Sequence, residues 1–417
     1  MQTLKLTKKY EKYPEYKDSG IEWLGKIPAN WKLDNIQHLF TKVKRIGFEN
    51  EQLLSVYRDL GVVIKSSRDD NHNKASDDLS TYQLVEVGDL AINKMKAWQG
   101  SVAVSEYRGI VSPAYFICRP LSNNNSRFLH YLLRSDIYIK QYERNSGGVR
   151  NDQWDLNYER FRKIEVGLPG ISEQKKIAKY LDEKTSYIDR IIEKKKKLIE
   201  ILKEKRTFLI NSAIINVSGE KGKLKNYIQL NPSKKIVNIT DPNDTVSFIP
   251  MEAISELGEL CPQERKYKDV SSGFTYFRNG DVVLAKITPC FENGKAGIMK
   301  GLKSDFGFGT TEFIVLRPGT KILADYLYYV IFSDKFRKMG EVEMRGTAGQ
   351  KRVTSSFVMN YELFIPDIKT QEKIVTELNK KMKIFGVATE KIEASISFLN
   401  EFKSVLISNV VTGKIKI

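Results

Sequence analysis

Apolar residues recur every seven positions in two stretches of the chain. The distal series is Leu378, Phe385, Ile392, Leu399 and Leu406. The same register read 197 residues earlier gives Leu181, Ile188, Lys195, Leu202 and Leu209, apolar at every position but Lys195. Ile191, Ile192, Leu198 and Ile199 widen the first stripe, and Met382, Ala388, Ile396 and Phe402 widen the second. A seven-residue apolar period held over such a length predicts long helices packed as a coiled coil. Each stretch starts just after a proline, Pro169 or Pro366, with Ser172 or Thr370 placed to cap it. A helix from Ser172 to Ala213 would be roughly 60 Å long at 1.5 Å per residue, well beyond an average globular helix.

Elsewhere the pattern shortens to β-rich runs such as VEVGDLAI, RKIEVGLP, DVVLAKI, TEFIVLRP and YELFIP. These runs are punctuated by turn signals at Gly88-Asp89, Gly147-Gly148, Gly280-Asp281, Asn293-Gly294 and Pro318-Gly319. A shorter helix is expected near 126–143 and again near 322–339. The similarities line up as an internal repeat: FICRP (116–120) with IVLRP (314–318), FLHYLLRSD (128–136) with YLYYVIFSD (326–334), and LPGISEQKKI with IPDIKTQEKI. Pro169, Gln174 and Ile177 match Pro366, Gln371 and Ile374 at an offset of 197. The expected organisation is a mixed α/β domain over 1–169, a spacer helix over 170–215, a second α/β domain over 216–366 and a second spacer helix over 367–417. Within it, 217–245 reads as a linker. The two helices would lie antiparallel between two globular units related by a pseudo-twofold axis.

Composition narrows the partners. The chain has 417 residues and a formal charge of +17. That excess of Lys and Arg is the electrostatic footprint expected for a polyanion such as nucleic acid. Three cysteines, Cys118, Cys261 and Cys290, form no CxxC pair, which argues against a disulfide framework or a cysteine-rich zinc site. Three histidines, with no HxH or HxxxH pair, give a metal site or a catalytic triad little to work with. The polar N-terminus and the absence of a long apolar run suggest a soluble, cytoplasmic protein without a membrane partner.

Catalytic signatures are missing too. There is no GxxxxGK[ST] phosphate loop and no GxGxxG after a strand. There is no Asn/Asp-Pro-Pro-Tyr/Phe tetrad of the amino-methyltransferases, and Pro366-Asp367-Ile368-Lys369 belongs to a helix start rather than a nuclease cluster. What is present suits DNA. The stretch 93–101 carries Lys94, Lys96, Trp98 and Gln99, and 142–154 carries Arg144, Arg150, Asn151 and Gln153 with Trp154. At matching places in the second copy, 285–295 carries Lys286, Asn293 and Lys295, and 344–352 carries Arg345, Gln350, Lys351 and Arg352. Arg and Lys can bond guanine, and Asn and Gln adenine, so such loops can read base edges. Any one of these residues could equally be solvated surface, and either tryptophan could be core; the repeated placement in both copies favours the functional reading. The run Glu193 to Lys197 reads as a solvated helix face, apart from Lys195 in the seam, where a lysine can fix register or reach a phosphate.

With these residues in hand, the chain resembles the specificity subunit of type I restriction–modification systems. The stretch YPEYKDSGIEWLGKIPANWKL (13–33), the two helix starts and the strand segments GDLAINKMKAWQGSVAVSEYRGIVSPAYFICRP and TEFIVLRP carry the resemblance, in the family's order. It implies two target recognition domains, each reading half of a bipartite, non-palindromic double-stranded DNA site across an antiparallel helical spacer. It also implies two modification subunits that bring S-adenosylmethionine and methylate adenine N6, and restriction subunits that bring ATP-driven translocation and cleavage with Mg2+. On that reading the chain binds no cofactor and no metal, and is not itself an enzyme. A self-sufficient methyltransferase or nuclease and a scaffold without DNA specificity are the other two classes considered.

Overall fold

The apolar runs in the first copy form a four-stranded antiparallel sheet in the order Phe40–Val43, Tyr115–Pro120, Leu90–Asn93, Val102–Val104. In the second copy the order is Ile228–Leu230, Phe313–Pro318, Val282–Ala285, Ala296–Ile298. The two sheets match strand for strand. These elements come from a computed structural model that describes residues 10–67, 76, 78–148, 154–215, 217–234, 241–255, 258–347 and 349–417. The chain divides into two units, Met1–Lys194 with Ser395–Ile417, and Lys195–Ala394. The division falls inside both long helices, so each unit holds one globular copy and part of each helix.

The repeat extends to the smaller elements. In the first unit Leu54–Tyr57 pairs antiparallel with Gly61–Ile64, Gln83–Val85 pairs with Gly109–Val111, and a parallel bridge joins Leu53 to Ile110. In the second, Thr245–Ile249 lies antiparallel to Gln263–Lys266 and parallel to Phe306–Gly309, which pairs with Thr275–Arg278. Each copy also ties its two ends together, through Lys32–Asn35 with Glu165–Leu168 and Glu220–Lys223 with Glu362–Ile365. The expected linker 217–245 therefore contains strands Glu220–Lys223 and Ile228–Leu230, both paired within the second copy. Their partners lie far away in sequence, so local composition could not reveal them.

Where one short helix was expected per copy, there are two: Ser126–Leu133 and Asp136–Arg144, then Ala324–Phe332 and Asp334–Val342. A buried serine breaks each pair. Ser135 Oγ donates to Leu132 O at 2.8 Å, and Ser333 Oγ to Val330 O at 2.7 Å. Each serine thereby satisfies a carbonyl that the ending helix leaves open, and the next residue, Asp136 or Asp334, sits in the new helix's first turn where its charge suits the dipole.

The seam stretches form helices Ile171–Ile215 and Ile368–Val411. Ser172 and Thr370 lie inside the first turns and do not cap them. Asp367 is the cap of the second helix, accepting from the Thr370 amide at 3.0 Å and the Thr370 hydroxyl at 2.9 Å; the aligned residue before the first helix is Gly170. Within the first unit the helices run antiparallel: Ile177 and Leu181 share a core with Leu406 and Val410, while Ile188 and Ile192 pack on Leu399. Lys403 bridges to Asp189 at 2.7 Å beside that contact. Within the second unit Ile210 and Leu378 belong to one core. Leu202, Leu209, Phe385, Ile392 and Lys195 are half-buried.

A buried glutamine fastens each long helix to its globular copy. Gln174 Oε1 accepts from the Asn125 amide at 2.8 Å, and Nε2 donates to Pro169 O at 2.9 Å and Asn124 Oδ1 at 2.7 Å. Gln371 Oε1 accepts from the Leu323 amide at 2.9 Å, and Nε2 donates to Pro366 O and Lys321 O, both at 2.9 Å. No helix among the described residues is long and apolar enough to cross a membrane.

Candidate nucleic-acid interface

The two candidate loops of the first copy meet. Strand Leu90–Asn93 leads into a tight turn through the short helix Ala97–Gln99, closed by Gly100 at φ 93°. That left-handed backbone is strained for any residue with a Cβ, and a Cβ there would also push on Ile139 of helix Asp136–Arg144. Helix Asp136–Arg144 runs on into a hairpin in which Ser146–Gly147 pairs with Asp155–Leu156. The Leu156 amide donates to Lys94 O at 2.9 Å, and the Lys94 ammonium lies 3.5 Å from the Asp155 carboxylate. Trp98 and Trp154 meet edge to face with centroids 5.8 Å apart, and Trp98 Nε1 donates to Met95 O at 3.1 Å. Trp98 is half-buried in this brace, whereas Lys96, Gln99 and Arg144 are exposed. Arg150, Asn151 and Gln153 lie outside the described residues.

The second copy builds the same notch. The Val353 amide donates to Lys286 O at 2.9 Å, the counterpart of the bond from Leu156 to Lys94. The Lys286 amide donates to Glu312 O at 2.9 Å, as the Lys94 amide does to Ala114 O at 3.2 Å. Arg345 and Arg352 exchange backbone hydrogen bonds at 3.0 and 2.8 Å, closing the hairpin, and the Thr288 amide donates to Lys351 O at 3.0 Å. Asn293, Arg345, Gln350 and Lys351 are exposed, while Lys286 and Lys295 are half-buried.

The charges differ between the two notches. Arg352 donates through Nε and Nη2 to the two Glu312 carboxylate oxygens at 2.9 and 2.8 Å, and through Nη1 to Gln350 O at 3.1 Å. Those hydrogen bonds hold the Glu312 carboxyl below its ordinary range, against a smaller opposing effect of burial and with Lys286 adding to the lowering. By hydrogen bonding, Asp155 in the first copy is the counterpart of Arg352, and Ala114 the counterpart of Glu312. Sequence reading passed over both acids, since nothing near either of them in the chain marks its pairing.

An ion pair on a buried aspartate holds the opposite end of the strand that leads into each notch. Asp89 meets Arg45 at 2.5 Å, and Asp281 meets Arg317 at 2.8 Å; both aspartates are inaccessible, and both belong to the Gly-Asp turns at 88 and 280. Each also accepts a local amide, from Glu86 or Arg278, at 2.9 Å. What stands on this frame is a pair of exposed basic and amide-bearing loops on backbone held at many points. Such a surface can bond phosphates and base edges.

A family model described as the type I restriction modification DNA specificity domain matches residues 30–201 and again 216–396. The specificity subunit of the type I restriction enzyme EcoAI of Escherichia coli is 39% identical over 196 residues, 46% of this chain and 32% of that subunit. The match thus spans about a third of that relative's length. The EcoKI specificity subunit of Escherichia coli K12 is 18% identical over 423 residues, covering 94% of this chain and 90% of its own. A solved chain from work on complex assembly and conformational transition of the type I R-M system superposes with a TM-score of 0.66 at 12% identity, covering 92% of this chain and 98% of that one. That likeness concerns the fold alone. With both globular copies matched by the same model, the chain belongs to the type I restriction modification DNA specificity family.

Proposed function

We propose that this chain is the sequence-reading subunit of a type I restriction–modification complex. Each globular copy reads one half of a bipartite, non-palindromic double-stranded DNA target through its notch. Two modification subunits supply S-adenosylmethionine and methylate adenine N6 at that target, and restriction subunits supply ATP- and Mg2+-dependent translocation and cleavage. The chain itself does no chemistry and works in the cytoplasm. The observation that carries this reading is the notch built twice on identical backbone hydrogen bonds, Leu156 to Lys94 and Val353 to Lys286, with different side chains on it. A constant frame with changed reading groups is what two different half-sites require. Tritium transfer from S-adenosylmethionine to DNA tests it: the purified chain should transfer none alone and restore site-specific transfer when added to its modification subunits. Robust transfer by the lone chain would make it an enzyme, and sequence-independent binding would make it a scaffold.

A further inference from the structure

The geometry points to Arg352 as the guanine reader of the second copy, with Glu312 as the residue that positions it. This deepens the proposed function and rests on it. A guanidinium has five N–H groups. Among the described residues, Glu312 takes one on Nε and one on Nη2, and Gln350 O takes one on Nη1. One N–H on each terminal nitrogen is left over. With the stem-side Nη1 hydrogen on Gln350 O, that pair is the end-on fork that bonds guanine O6 and N7 together.

The side chain is 42% exposed and Glu312 25%, so the guanidinium, held by Glu312 and by Gln350 O, still meets solvent. A bidentate carboxylate contact removes the rotamer freedom an exposed arginine would otherwise lose on binding, and fixes the plane of the fork. Around it stand Arg345, Gln350 and Lys351, all exposed, which suits phosphate contacts beside a base contact.

The first copy gives the contrast. At the equivalent positions stand Asp155, beside Lys94, and Ala114, so the arginine and its acid are present together or absent together. An aspartate can only accept and would select a donor such as the cytosine amino group. The two half-sites should therefore differ at this base.

The test uses the full chain assembled with its modification subunits on a randomised DNA library, with methylated sites read by sequencing. Wild type should yield one bipartite target; methylation without base preference would overturn the proposed function itself. Given a defined target, R352Q should lose guanine selection at one position of one half-site, by about ten-fold or more, with the other half-site and the gap unchanged. R352K keeps the charge and can still bond guanine, but without the fork, and should keep guanine preferred by a smaller margin. E312Q should keep guanine preferred there with a smaller margin. An ion pair that only ties the hairpin down would lower the melting temperature and leave base preference alone. The inference is overturned if R352K and R352Q retain the wild-type preference at every position. Should R352Q fail to fold, R352M, which keeps an apolar stem and has no donor, takes its place in the same assay.

Discussion

Gln371 touches three backbone groups from a fully buried position, which makes it a sensitive single residue. Gln371→Ala would leave the Leu323 amide and the Lys321 and Pro366 carbonyls without this partner, at about 1–3 kcal/mol for each that stays dry. Denaturant melts should show a loss of about 2–4 kcal/mol, whereas a change at the exposed neighbour, Glu372→Gln, should show almost none. Unchanged stability in the alanine variant would show that water replaces the clamp. His130 gives a second residue-level test. Burial, then the neighbouring Arg134 and Arg127, pushes its pKa down from 6.5 to about 3. The folded state thus holds His130 neutral, while the unfolded chain takes up a proton below pH 6.5. Stability should be full above that pH and fall as the pH drops toward 3, by at most about 1.4 kcal/mol per unit. Urea melts at pH 7.5 and 5 should show this slope in wild type and a shallower one in His130→Gln. The glutamine repeat was legible in sequence, but its role was not, because Asn125 and Leu323 lie 49 and 48 residues away.

At the scale of the element, the seven-residue period located both long helices, since a packed seam writes its geometry directly into the spacing of apolar residues. Capping was less legible: Asp367 takes the role assigned to Thr370, because choosing among neighbouring capping residues needs the backbone at the first turn. Strands 220–223 and 228–230 were hidden for a different reason, their pairing being long-range. Within the first unit Leu399 packs on Ile188 and Ile192. Leu399→Asp should cost several kcal/mol, as a charge forced into an apolar seam must be neutralised or left unpaired. Thermal melts and co-purification with the modification subunits should both report it. Lys195→Leu, at a half-buried position, should be tolerated or stabilising. If the aspartate variant melted like wild type, Leu399 would not be part of a packed seam.

For the whole molecule, the duplication was the feature most legible in sequence, because both copies keep the same element order even where their residues differ. Which notch residues read bases was not legible: the pairing of Glu312 with Arg352 is a property of folded loops. Reading and spacing should be separable. Deleting one heptad from each long helix removes roughly 10 Å of helix at 1.5 Å per residue while keeping the seam in register, and should shorten the unread gap of the target by a few base pairs. Exchanging 217–366 for the same domain of a relative should change one half-site and leave the gap alone. The most direct test of the central claim is methylome sequencing of cells with and without this gene. The gene should add adenine methylation at a single bipartite motif, two different short half-sites flanking a gap of fixed length. Loss of the gene leaving the methylome unchanged, or a palindromic or continuous motif in its place, would contradict the account.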